Sequence, residues 1–96
     1  MGDWPFSESE DVATMIVRQV MDGRQPILLV SHDADDGMWQ FLTGGEVQMA
    51  DAMVVALEEV HSLDPSVGEL ADLPLGWQAW RSAVGNPWQR KAKKTP

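Results

Sequence analysis

Apolar residues fall along the chain in short runs, separated by clusters rich in Asp, Gly and Pro. The run Pro26-Ile27-Leu28-Leu29-Val30-Ser31 follows a proline and precedes a polar cluster, which predicts a strand buried on both faces. The cluster Asp33-Ala34-Asp35-Asp36-Gly37 predicts a turn, because Gly takes positive φ at no steric cost and Asp side chains bond nearby amides. Met38-Trp39-Gln40-Phe41-Leu42-Thr43 then returns as the partner strand, with Trp39 and Phe41 on one face, and Gly44-Gly45 ends the hairpin.

Elsewhere two periods compete. In 12–22, Ser7-Glu8-Ser9-Glu10 matches a capping box and Val12, Met15, Ile16 and Val20 share a helical face. The β-branched Val12, Thr14, Ile16 and Val17 favour a strand over 13–18, followed by a turn through Met21-Asp22-Gly23. Residues 48–62 predict a long helix, because Ala50, Met53, Val54, Leu57 and Val60 recur at spacings of three and four, with Asp51, Glu58, Glu59 and His61 facing elsewhere. Asp64-Pro65 pairs a good N-cap with a good first residue and opens a short helix to about Asp72. In 76–82, Trp77 and Trp80 fit a helical turn while Trp77, Ala79 and Arg81 alternate as in a strand; an extended segment joining the sheet is preferred. Residues 1–11 read as an irregular arm whose Trp4 and Phe6 pack on the body.

These elements predict an α+β fold: a small, mainly antiparallel sheet of three to four strands with one long and one short helix packed on it. Trp39, Phe41, Leu28, Val30, Met53, Leu57 and Val60 form the expected core. Residues 1–88 are read as a single compact domain and 89–96 as a basic, flexible tail that the fold can lose.

With 96 residues, 44% hydrophobic, and five Trp, the composition is that of a globular chain. The lack of Cys excludes disulfides, thiol nucleophiles and thiolate metal sites. Net charge is −8, and it is segregated. All fifteen acids lie between Asp3 and Asp72, offset there only by Arg18 and Arg24; Arg81, Arg90, Lys91, Lys93 and Lys94 follow with no further acid. An acidic body repels phosphate, so nucleic acid is disfavoured as a partner, and a basic protein is favoured. The short apolar runs exclude a membrane span, and the acidic first ten residues are unlike a signal peptide, so a cytoplasmic location is expected.

Only Ser31-His32-Asp33-Ala34-Asp35-Asp36-Gly37 resembles a site. An EF-hand fails in either register: from Asp33, Gly37 falls at position five and Gly44 at twelve; from His32, Gly37 fits position six but Ala34 and Thr43 occupy three and twelve. Ser31, His32 and Asp33 are the residue types of a catalytic triad, but neighbours in a strand point to opposite faces. Two His without Cys give no zinc-ligand spacing, and Gly44-Gly45-Glu46 sets an acid where a phosphate cradle needs a base. No cofactor motif is present, and no catalytic residue is assigned.

The run from Pro26 to Leu42, with Asp64-Pro65-Ser66-Val67 and Leu73-Pro74-Leu75-Gly76-Trp77, resembles a group of small bacterial proteins. More distantly it resembles the immunity-protein-like family of polymorphic toxin systems, which carries an Asp-Ser-Gly-Trp-Arg-Phe segment before a helix and an Asp-Pro turn. Asp36-Gly37-Met38-Trp39-Gln40-Phe41 stands at that segment; Met38 intervenes between Gly and Trp, and Gln40 replaces the Arg. The resemblance spans roughly residues 12–82 and implies a small α+β domain with a binding role. The expected function is a non-enzymatic acidic protein-binding module contacting its partner through His32, Asp33, Asp35, Asp36 and Trp39. The alternative is a small hydrolase-like enzyme using His32 with a nearby carboxylate, which requires His32, a carboxylate and a pocket to converge.

Overall fold

The computed structural model describes residues 4–46 and 48–93. The fold is α+β, built on a six-stranded mixed sheet in the order β4-β1-β3-β2-β5-β6. The strands are β1 (Ala13–Val17), β2 (Leu29–His32), β3 (Trp39–Leu42), β4 (Ala52–Ala56), β5 (Trp77–Trp80) and β6 (Gln89–Ala92). One helical turn, α1 (Arg18–Met21), follows β1; α2 (Leu57–Leu63) follows β4, and a 3-10 helix over Pro65–Leu70 comes next. No helix of the described residues is long and apolar enough to cross a membrane.

The predicted β2–β3 hairpin forms, with Val30 opposite Phe41 and His32 opposite Trp39. Gly37 supplies the positive φ of the turn, and its N–H donates to the Asp33 carbonyl at 2.9 Å. Residues 13–17 are a strand, as their β-branching suggested. β1 pairs with β3 in parallel and with β4 antiparallel, so the sheet is mixed and wider than the three or four strands expected. The segment 76–82 does join the sheet, as β5 against β2.

The largest departure lies in 48–62. The expected long helix is a short 3-10 turn over Met49–Asp51, then β4, and only then seven residues of α2. Ala52-Met53-Val54-Val55-Ala56 pairs one side of its backbone with β1, which otherwise would itself be an edge, and Val54 and Val55 suit a pleated strand better than a helix. Met53 and Val55 turn toward the core while Val54 turns to solvent, a period of two where three and four was read. Residues 89–92, read as the start of a tail, instead form β6 on β5, and the Lys93 N–H donates to the Gly76 carbonyl at 2.8 Å.

The register aligns Met53, Ile16, Phe41, Val30 and Ala79 as one row across the inner face. Leu57 and Val60 from α2, Val67 and Leu70 from the 3-10 helix, and Phe6 from the arm close over it. Of the expected core, Trp39, Phe41, Val30, Leu57 and Val60 are buried and Met53 is partly buried. Leu28 is not a core residue: it precedes β2 and is half-buried at the rim. The arm packs as expected, with Phe6 set edge-on against Trp39 and the Trp4 indole N–H donating to the Glu8 carbonyl.

Arg81 ties the 3-10 helix to the sheet from within. Its buried guanidinium donates to the Ile27 carbonyl, to Ser66 and, at 2.8 Å, to Asp64, and it lies 4.2 Å from the Trp88 ring centre. Asp64 also caps the 3-10 helix, accepting from the Ser66 N–H.

Candidate functional site

The β2–β3 turn brings together most of the residues singled out by the sequence, and it uses them structurally. Asp33 follows the last residue of β2, and its side chain is largely enclosed. One carboxylate oxygen accepts from the Ser31 hydroxyl at 2.8 Å and from the Lys93 ammonium at 2.7 Å; the other accepts from the Gln40 amide. Ser31 and Gln40 are directly paired across the hairpin, so the network is fixed by register. Burial pushes the Asp33 carboxyl up, but hydrogen bonds from Lys93, Gln40 and Ser31, with the charge of Lys93, outweigh it and hold the group below its ordinary value.

His32 and Trp39 lie beneath that turn. Trp39 is 1% exposed, so it belongs to the core rather than to a contact surface. The His32 ring stacks on it with centroids 3.9 Å apart. His32 Nδ1 is 2.7 Å from the Leu73 carbonyl, which can only accept, so Nδ1 carries a proton and donates. Nε2 lies 3.5 Å from a Glu8 carboxylate oxygen that also accepts from the Trp39 indole N–H at 2.9 Å. A histidine and a carboxylate therefore do meet, but in a buried stack under the arm. Two clefts lined by described residues lie elsewhere. One, of about 490 Å³, is lined by Val20, Ile27, Leu63 and Val84 among others. The second, of about 380 Å³, is lined by Leu28, Trp80 and Arg81 among others. Neither includes His32, so the convergence that the hydrolase-like alternative requires is missing from both.

Asp35 and Asp36 are exposed at the tip of the turn. Asp36 accepts from the Met38 N–H, and Asp35 from the Asp36 N–H. Oxygens of Asp33, Asp35 and Asp36 lie within 4.8 Å of one another, but the Asp33 pair is already occupied.

A second group of acids gathers where β4 passes into α2. The Glu58 N–H donates to the Glu10 carbonyl at 2.9 Å, which sets Glu10 and Asp11 beside Glu58 and Glu59. All four residues are exposed, and none has an ion-pair partner among the described residues. Glu59 spends one oxygen on the Ala56 N–H, and Asp11 accepts from Ser9. Glu58 and Glu59 were legible as the polar side of a helix. Their meeting with Glu10 and Asp11 was not, because it depends on β1 pairing with β4 across 41 residues of chain. Lys93 was missed for a similar reason: a run of bases near the end of the chain reads as solvated unless its strand partner is known.

No protein-family model matches the chain, and comparison with curated proteins and with solved structures finds no match.

Proposed function

We propose that the chain is a non-enzymatic acidic module that binds a basic protein partner, immunity-like in the sense of the resemblance carried by Asp36-Gly37-Met38-Trp39-Gln40-Phe41. One observation carries the reading: Glu10, Asp11, Glu58 and Glu59 form a corner of negative charge with no base paired to it among the described residues, whereas Asp33 is neutralised by Lys93 and Asp72 by Arg90. Uncompensated charge on one corner steers an oppositely charged partner and accelerates encounter. On this reading the corner is the docking surface, with Asp35 and Asp36 as a lesser patch and His32, Asp33 and Trp39 as the scaffold of that patch.

The test is co-purification of the partner from the native host, followed by association rates at low and physiological salt. The variant Glu10→Gln/Asp11→Asn/Glu58→Gln keeps Glu59, which caps α2. It is expected to associate about tenfold more slowly at low salt, with the difference shrinking as salt rises. Equal rates at low salt would overturn the reading.

A further inference from the structure

Among the described residues the outer edge of β4 is open at one place. Antiparallel pairing turns alternate residues of an edge strand toward and away from the neighbour. The Leu57 N–H donates to the Val12 carbonyl, and the same register pairs Val55 with Thr14 and Met53 with Ile16. Met53, Val55 and Leu57 therefore direct their amide groups to β1, and Ala52, Val54 and Ala56 direct theirs to the free edge. Two of those three edge N–H groups are already used: Ala52 donates to the Met49 carbonyl, and Ala56 donates to Glu59 at 3.0 Å. Among the described residues the Val54 N–H and C=O have no further partner, with the Ala52 carbonyl beside them. Val54 is 68% exposed and Met49 78%, and β4 carries no charged side chain that would repel an added strand. The charge lies beyond the Ala56 end, at Glu10, Asp11 and Glu58.

We propose that β4 accepts an extended, basic segment of a partner protein as a seventh strand, a mode that rests on the binding reading above. The partner residue opposite Val54 exchanges a pair of N–H···O=C bonds with it, an apolar neighbour covers the Val54 side chain, and Lys or Arg side chains reach Glu10, Asp11 and Glu58. A second copy of this chain is the poorer occupant. Two-fold antiparallel pairing about Val54 sets the Ala56 end of each copy against the Ala52 end of the other, which carries Glu58 toward Asp51 and puts like charges in one interface.

The probe is a blocked synthetic peptide of alternating Val and Thr with Lys at both ends, read by amide correlation spectra and by hydrogen exchange at Val54. Binding is expected to shift the 52–56 resonances and slow exchange of the Val54 N–H. A peptide N-methylated at its central edge-facing amide should bind about tenfold more weakly or worse, and Val54→Pro should lose the same increment. Proline is tolerated where the N–H faces solvent, so this variant removes the open donor without breaking a bond to β1. If it fails to fold, the N-methylated peptide carries the comparison alone. Equal binding of the N-methylated peptide, with shifts centred on Glu10 and Glu58, overturns strand addition and leaves the acidic-module reading standing. Equal binding of a peptide with Glu in place of Lys overturns the basic segment and that reading together. Concentration-dependent shifts of 52–56 without peptide point to a second copy and overturn the choice of occupant. Silence at millimolar peptide overturns the proposal outright.

Discussion

The turn over 33–36 and the corner formed by Glu10, Asp11, Glu58 and Glu59 carry similar charge in different surroundings. At the turn, Asp33 holds Ser31, Gln40 and Lys93, Asp36 holds the Met38 amide, and the stacked His32 and Trp39 lie beneath. At the corner the carboxylates do little internal work beyond the Glu59 cap and the Ser9–Asp11 bond. The difference arises from where bases arrive, not from where acids cluster in sequence. Lys93 reaches Asp33 across 60 residues because β6 pairs with β5 and β5 with β2. Net charge thus says little about which acids a partner can use. The acids most conspicuous in the sequence are the ones the fold consumes, and those left over are assembled by strand pairing.

The contrast between turn and corner requires that the underside of the turn be core. Trp39→Ala removes a ring stacked on His32, packed against Phe41 and Phe6, and hydrogen-bonded to Glu8. The expected cost is about 3–5 kcal/mol, or a fall in Tm of roughly 12 °C or more for a domain of this size. A melt within a few degrees of wild type would return Trp39 to the candidate contacts.

Truncation after Trp88 is the next largest perturbation. It removes β6, the Arg90–Asp72 pair and the ammonium on Asp33. Loss of the part-buried Lys93 bonds to Asp33 and Ser31 alone is worth about 1.5–3 kcal/mol, and β5 becomes a bare edge. Urea unfolding of the truncated chain should show the loss, and a proton titration should show the Asp33 carboxyl moving upward. An unchanged midpoint would mean that Lys93 does not distinguish the turn from the corner.

Part of this architecture was legible before the structure. The hairpin, its Asp-Gly turn and the Asp64-Pro65 helix start were readable because each is encoded within a few residues: a proline boundary, a glycine at positive φ, a capping carboxylate. The helix expected over 48–62 failed because the spacing of Ala50, Met53, Leu57 and Val60 fits both a helix and a strand followed by a helix. What decides is the vacancy beside β1, a tertiary fact. Of the candidate site, the turn was seen, but the burial of His32 and Trp39 depends on Glu8, Phe6 and Leu73, which come from distant segments.

Asp33→Asn separates the turn from the corner through pH. The folded carboxyl titrates below its ordinary value of 3.8, so folding favours the ionised form. That contribution is complete above the unfolded value and is lost as pH falls through the folded one. Asparagine keeps the shape and one acceptor oxygen but loses the charge. It should cost about 1 kcal/mol at neutral pH, with the gap to wild type closing below pH about 4. Glu58→Gln, its counterpart at the corner, should stay within about 0.5 kcal/mol at both pH values. A gap for Asp33→Asn that persists unchanged in acid would mean that the network does not depend on the carboxylate's charge.

Calcium is the finest probe of the same difference, and the expected response is the smallest. The oxygens of Asp33, Asp35 and Asp36 come within 4.8 Å of one another, a spacing that invites a cation. A calcium ion wants six to eight oxygens, and tight loops close with a distant bidentate Glu. Here position twelve is Gly44 or Thr43 in the two registers, and the best-placed carboxylate already accepts from Ser31, Gln40 and Lys93. To bind, calcium must displace an ammonium held at 2.7 Å and gains only two exposed carboxylates from the turn. Titration calorimetry should therefore give no dissociation constant below about 10⁻⁵ M. Lys93→Gln removes the competitor, so it is expected to strengthen whatever weak binding wild type shows, while leaving the corner unaffected. Tight binding by wild type would mean that Lys93 does not occupy Asp33, and the turn would then be as open as the corner.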